Sequence, residues 1–142
     1  MRPAVFLDTS AWFAALSPRD QHHARAERQY HQLIAARAAL LTTALVVAEM
    51  HALFTGKSGG RDAAKALQFL DRLYQDPLHE VVWATRDLEH RAVDRWLRPF
   101  AEHGFSLADA IAFEVMHERG LRTAFALNRH FAVAGFELVP SP

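Results

Sequence analysis

The chain of 142 residues contains no cysteine. That absence removes disulfide scaffolds, thiolate nucleophiles, iron–sulfur clusters and cysteine-type zinc sites, and with them any need for an oxidising compartment. A cytoplasmic setting is therefore expected. Neither sign of charge is in excess, because sixteen Lys and Arg balance sixteen Asp and Glu. No global field announces nucleic acid or membrane as partner, so such a role has to rest on local clustering. Long apolar runs are missing too: Ala38 to Phe54 is interrupted by Glu49 and His51, and the run before Asp8 is too short for a secretion signal. No membrane association is expected. What is present is an ordinary globular balance, 51% hydrophobic and 23% charged residues, far from the profile of a disordered chain. A chain of this length removes about two-thirds of its unfolded surface from water, enough for one domain, expected to span residues 1–142.

The apolar pattern alternates between strand and helix. Val5 to Leu7 predicts a first strand, Asp8-Thr9-Ser10 opens a helical stretch Ala11 to Leu16, and Asp20 to Ala36 predicts a surface helix. Leu40 to Thr42 predicts a second strand, with Thr43 capping an apolar helix from Ala44 to about Phe54. Gly56 to Gly60 is expected to be a flexible hinge before a helix from Arg61 to Gln75. A third strand is expected at Val81 to Trp83, then a helix from Thr85 to near Phe100, and another from Ser106 to Arg119 stopped by Gly120. Thr123 to Ala126 and Phe136 to Val139 complete the strands. The alternation, with no NG or DG hairpin signal, predicts an α/β fold with a mostly parallel sheet covered on both faces.

In such a sheet, ligands collect outside the carboxyl ends of the strands. Four polar residues map to that rim: Asp8 after strand one, Glu49 on the helix after strand two, Asp109 in the first turn of its helix, and Asn128 after strand four. Helical spacing puts Glu49 among Leu45, Val46, Ala52 and Leu53, inside an apolar stripe, and Asp109 on the side of Ala112, Phe113 and Met116. Both acids are expected to point inward, where an unpaired carboxylate must protonate or find a cation. Two carboxylates about 5 Å apart at an effective dielectric near 20 repel by roughly 3 kcal/mol. A bound divalent ion relieves that repulsion, and oxygen-only ligands favour Mg²⁺ or Mn²⁺ over zinc. Ions of this kind activate water at phosphodiesters, which makes a nuclease the leading reading. Plainer roles compete: Asp8 as a helix cap, Ser106 with Asp109 as a capping box, and Glu49 paired with a buried arginine.

Phe6-Leu7-Asp8-Thr9-Ser10-Ala11, Val46-Val47-Ala48-Glu49, Phe105-Ser106-Leu107-Ala108-Asp109-Ala110 and Ala126-Leu127-Asn128-Arg129-His130-Phe131 resemble the successive signatures of PIN-domain ribonucleases, in particular the VapC-type toxins. The resemblance implies a three-layer α/β/α sandwich, a Mg²⁺- or Mn²⁺-dependent RNA endonuclease, a small antitoxin protein as partner, and a homodimer. It assigns Asp8 and Asp109 as principal metal ligands, Glu49 as the residue completing the acidic cluster, and Ser10 as a hydrogen-bonding support. Asn128 stands where the family usually has an acid. Its amide oxygen is expected to ligate or orient a water without adding charge, so a second metal is expected to be held less well. The rival reading, motivated by Asn128, is a catalytically weak module that binds RNA or a partner peptide.

Other motifs carry less. Gly56-Lys57-Ser58 lacks the earlier glycine and the preceding strand of a phosphate-binding loop. His117-Glu118 lacks the second histidine of a zinc protease helix, and no G-x-S-x-G surrounds a serine. Lys57, Arg61 and Lys65 are expected to form a solvated helix start, and the aromatic residues to belong to the core.

Overall fold

The computed structural model describes residues 2–142. Five strands form one sheet: β1 (Ala4–Leu7), β2 (Ala39–Thr43), β3 (His79–Val82), β4 (Thr123–Phe125) and β5 (Glu137–Val139), in the order β3-β2-β1-β4-β5. Every pairing among them is parallel, with Val5 opposite Leu40 and Leu7 opposite Phe125. The helices are α1 (Thr9–Leu16), α2 (His23–Ala35), α3 (Ala44–Thr55), α4 (Ala63–Gln75), α5 (Arg86–Ala92), α6 (Leu107–Arg119) and the short α7 (His130–Val133). The expected α/β class holds. Among the described residues no helix is long and apolar enough to cross a membrane.

Strand alternation explains the layers. Side chains of successive strand residues point to opposite faces. Phe6 meets Phe131 of α7 on one face, with ring centroids 5.9 Å apart, while Phe125 stacks on Tyr30 of α2 at 5.8 Å on the other. Trp12, Phe54 and Phe69 tie α1, α3 and α4 together on the α2 side, and Phe113 carries α6 against Phe131. Helices thus cover both faces, giving the three-layer α/β/α arrangement.

The order of strands also fixes where a site forms. The chain moves outward from β1 through β2 to β3, then returns to the other side of β1 for β4 and β5. The connections leaving β1 and β4 therefore diverge, and a crevice opens between their carboxyl ends, as open parallel sheets require. Asp8 and Asn128 flank that crevice.

Three local features depart from expectation. The stretch Gly56 to Gly60 is a compact turn with a 3-10 segment at Lys57–Gly59, not an open hinge. A Cβ on Gly59 would come within 2.5 Å of Phe54 Cα, so the turn lies flat on the end of α3. The helix expected to run to Phe100 instead widens after α5 into a π turn at Val93–Leu97, where the Arg98 N–H bonds to the Val93 carbonyl at 3.0 Å. β3 ends at Val82, which leaves Trp83 outside the strand and 69% exposed.

Candidate active site

Asp8 is extended backbone leaving β1, and its N–H donates to the Phe125 carbonyl at 3.0 Å, which joins it to β4. Its side chain caps α1. Asp8 Oδ2 accepts from the Ser10 backbone N–H at 3.3 Å and from Ser10 Oγ at 2.5 Å. Ser10 Oγ in turn accepts from the N–H groups of Leu127 (2.9 Å) and Asn128 (3.2 Å). One hydroxyl thus fastens Asp8 to the loop after β4. Burial pushes the Asp8 carboxyl up from 3.8 to about 6; the Ser10 bonds oppose this, and the nearby Asp109 and Glu49 add to it.

Asp109 combines two roles that the sequence leaves as alternatives. Ser106 caps α6 by accepting from the Asp109 N–H at 3.0 Å, while Asp109 Oδ2 accepts from the Ser106 N–H at 3.0 Å, a complete capping box. The same carboxylate faces the groove. Its Oδ2 also meets His130 Nδ1 at 2.8 Å and its Oδ1 accepts from Asn128 Nδ2 at 3.2 Å. The side chain is 12% exposed, so the inward placement expected for Asp109 holds.

One expectation needs correction. Glu49 does not lie in a buried stripe. α3 buries Val46, Val47, Met50 and Phe54, a face turned away from Glu49, which is exposed and accepts a hydrogen bond from Thr9 Oγ1 at 2.9 Å. Because α3 is apolar almost all round, its pattern does not fix which side packs. The Asn128 amide oxygen, expected to ligate or orient a water, is held by the chain itself. Asn128 Oδ1 accepts from the His130 N–H at 2.9 Å, so the NH₂ group is the part that faces Asp109.

One buried acid escaped the sequence reading. Glu114 of α6 is fully buried, and its Oε1 accepts from Arg95 Nε at 2.8 Å and Trp96 Nε1 at 3.1 Å. The pairing with arginine weighed for Glu49 belongs to Glu114. The signal was available, since Glu114 is the lone acid in the run Ala110 to Met116, all of which is buried.

Asp8, Glu49, Asp109, Ser10, Ser106 and Asn128 line a groove of about 400 Å³ with no Lys or Arg in its wall. Among the described residues, no three His, Asp or Glu side chains converge as a ready-made metal cage. The donor chemistry nevertheless fits a hard divalent ion. The carboxylate oxygens of Asp8 and Asp109 suit Mg²⁺, which keeps several waters and takes only one or two protein carboxylates.

Known proteins share this fold. A family model for the PIN domain matches residues 5–137. The 23S rRNA-specific endonuclease VapC20 of Mycobacterium tuberculosis is 32% identical over 132 residues, covering 93% of this chain and 95% of that protein. The crystal structure of VapC20, described as a sarcin–ricin loop cleaving toxin, superposes with a TM-score of 0.78 at 30% identity, over 93% of this chain and 95% of that one. FitAcB from Neisseria gonorrhoeae shares the fold, with a TM-score of 0.65 at 20% identity over 94% of this chain and 95% of that one. The acids gathered at the β1/β4 crevice, the all-parallel five-stranded sheet and the family match lead to one conclusion: the chain belongs to the PIN-domain family.

Proposed function

We propose that the chain is an RNA endonuclease that hydrolyses phosphodiester bonds, and that it is the toxin of a type II toxin–antitoxin pair. The observation that carries this reading is the placement of Asp8, Glu49 and Asp109 on one groove whose wall holds no cation. Mg²⁺ or Mn²⁺ would be held by Asp8 and Asp109, with Glu49 completing the cluster. When bound, the ion supplies an acidified water and neutralises charge at the phosphate.

The protein's own part is positioning. Ser10 fixes the Asp8 carboxylate and closes the β1 and β4 loops on each other. The Ser106 capping box sets the first turn of α6 and with it Asp109. Thr9 holds Glu49 toward the groove. Such preset groups reduce the reorganisation needed when RNA enters. The likeness to VapC20 makes the sarcin–ricin loop of 23S rRNA the substrate to test first.

The experiment is cleavage of a hairpin RNA carrying that loop, and of total RNA, with and without Mn²⁺. Asp8→Asn and Asp109→Asn are expected to abolish cleavage while the circular dichroism spectrum stays native. Full turnover in both variants would defeat the assignment. Sequencing of the cut ends, expected to carry 5′-phosphates, identifies the site.

A small antitoxin protein and a homodimer complete the proposal. The exposed apolar side chains Trp83, Tyr74 and Leu67 supply surface for such contacts. Co-purification of the product of the neighbouring reading frame tests the first, and sedimentation of the chain alone tests the second.

A further inference from the structure

We propose that His130 is a positioning residue for the hydrolysis assigned above, holding the Asp109 carboxylate through Nδ1 while Asn128 holds the other carboxylate oxygen. The inference rests on that assignment but on different atoms. Asp109 is met by three donors: His130 Nδ1 at 2.8 Å and the Ser106 N–H at 3.0 Å on Oδ2, and Asn128 Nδ2 at 3.2 Å on Oδ1. Ionised Asp109, the form a metal ligand takes, only accepts, and against it His130 donates from Nδ1.

His130 controls two of these three donors. Its side chain supplies one directly. Its backbone N–H donates to Asn128 Oδ1 at 2.9 Å, and this turns the amide so that the NH₂ group points at Asp109. An amide left free to flip would present oxygen to oxygen instead.

The ring itself is well supported. Phe105 meets it edge-on, with centroids 5.4 Å apart, and Phe105 is in turn set edge-on against the buried Phe113 at 5.1 Å. Asp109 shares its groove with Asp8 and Glu49. Like charges there favour any rotamer that swings Asp109 away, and the donors from His130 and Asn128 oppose that swing. With an amide at position 128, this clamp keeps Asp109 aimed without a further cation.

The test compares His130→Ala, His130→Asn and His130→Gln in the full chain. The Asn amide nitrogen reaches the place of Nδ1, and the Gln amide reaches that of Nε2. Two quantities are read: turnover of the sarcin–ricin hairpin, and Mn²⁺ binding by titration calorimetry without RNA. His130→Ala is expected to lower kcat by about 10- to 100-fold with KM within about twofold, and to weaken Mn²⁺ binding about tenfold. His130→Asn should restore most of both losses and His130→Gln should not. Unchanged kcat and Mn²⁺ affinity in His130→Ala overturns the proposal, as does recovery by Gln equal to or better than recovery by Asn. The Asn against Gln comparison decides the matter even where the Ala variant does not fold. An inactive Asp8→Asn beside a fully active His130→Ala removes only this inference, whereas an active Asp8→Asn removes the hydrolytic reading beneath it.

Discussion

Asp8, the first acid of the proposed site, works against the stability of the fold around it. In the unfolded chain its carboxyl titrates near 3.8, and in the folded chain burial moves that to about 6. Below the lower value both states are protonated, and Asp8 makes no difference to stability. Between the two values the folded chain keeps a proton that the unfolded chain releases, so stability falls as pH rises through this window. Above about pH 6 the loss is complete and amounts to at most about 3 kcal/mol, at 1.36 kcal/mol per unit. Asp8→Asn removes the ionisation while leaving an oxygen to accept from Ser10. Metal-free Asp8→Asn is therefore expected to melt roughly 5 °C above the unaltered chain at pH 7.5, with the gain vanishing near pH 4. A variant that melts lower than the unaltered chain at pH 7.5 would mean that the Ser10 contacts outweigh the cost of burying the charge.

At the scale of elements, the legible features were those with local causes. Thr43 accepts from the Val46 N–H, Ser106 and Asp109 cap α6, and Gly120 ends it in a left-handed turn, each a short-range signal readable from neighbouring residues. The π turn after α5 and the burial of Glu114 share a cause that lies across the molecule. Widening the turn lets the consecutive residues Arg95 and Trp96 both reach Glu114 of α6. No window of sequence around Val93 contains that partner. Breaking the pair from its two ends should have unequal effects. Arg95→Met leaves the Glu114 carboxylate buried beside Trp96, with Arg91 no nearer than 4.0 Å, and is expected to cost about 2–3 kcal/mol in urea unfolding. Glu114→Gln keeps an acceptor for both donors, loses only the charge, and is expected to cost about 1 kcal/mol. The opposite ranking would show that the ion pair matters less than the packing of the Arg95 stem. Ser106→Ala is a second test at this scale. Losing the cap should lower stability by about 1 kcal/mol and slow RNA cleavage by more than the slight unfolding explains, since the same residue holds the Asp109 backbone.

For the whole molecule, the rim was legible and its internal wiring was not. Alternating strands and helices imply a parallel sheet, so Asp8, Glu49, Asp109 and Asn128 map to its carboxyl end, whereas the order β3-β2-β1-β4-β5 that sets β1 beside β4 comes from the structure. Which way Asn128 turns depends on the backbone N–H of His130, and which face of α3 packs depends on the helices beside it. Neither is encoded in spacing. The assembled groove makes a prediction that belongs to no single residue. With Asp8, Glu49 and Asp109 sharing a wall that has no cation, an ion that binds only the folded chain must raise its stability by RT ln(1 + [ion]/Kd), about 2.7 kcal/mol at a hundredfold excess over Kd. Mn²⁺ is therefore expected to raise the melting temperature at pH 7.5 in a concentration-dependent way. The rise should shrink in Asp8→Asn and in Asp109→Asn, and it should fade at pH 5, where Asp8 keeps its proton in the folded chain. A melting temperature indifferent to millimolar Mn²⁺ at pH 7.5, with RNA still bound in a gel-shift assay, would favour the binding module over the nuclease.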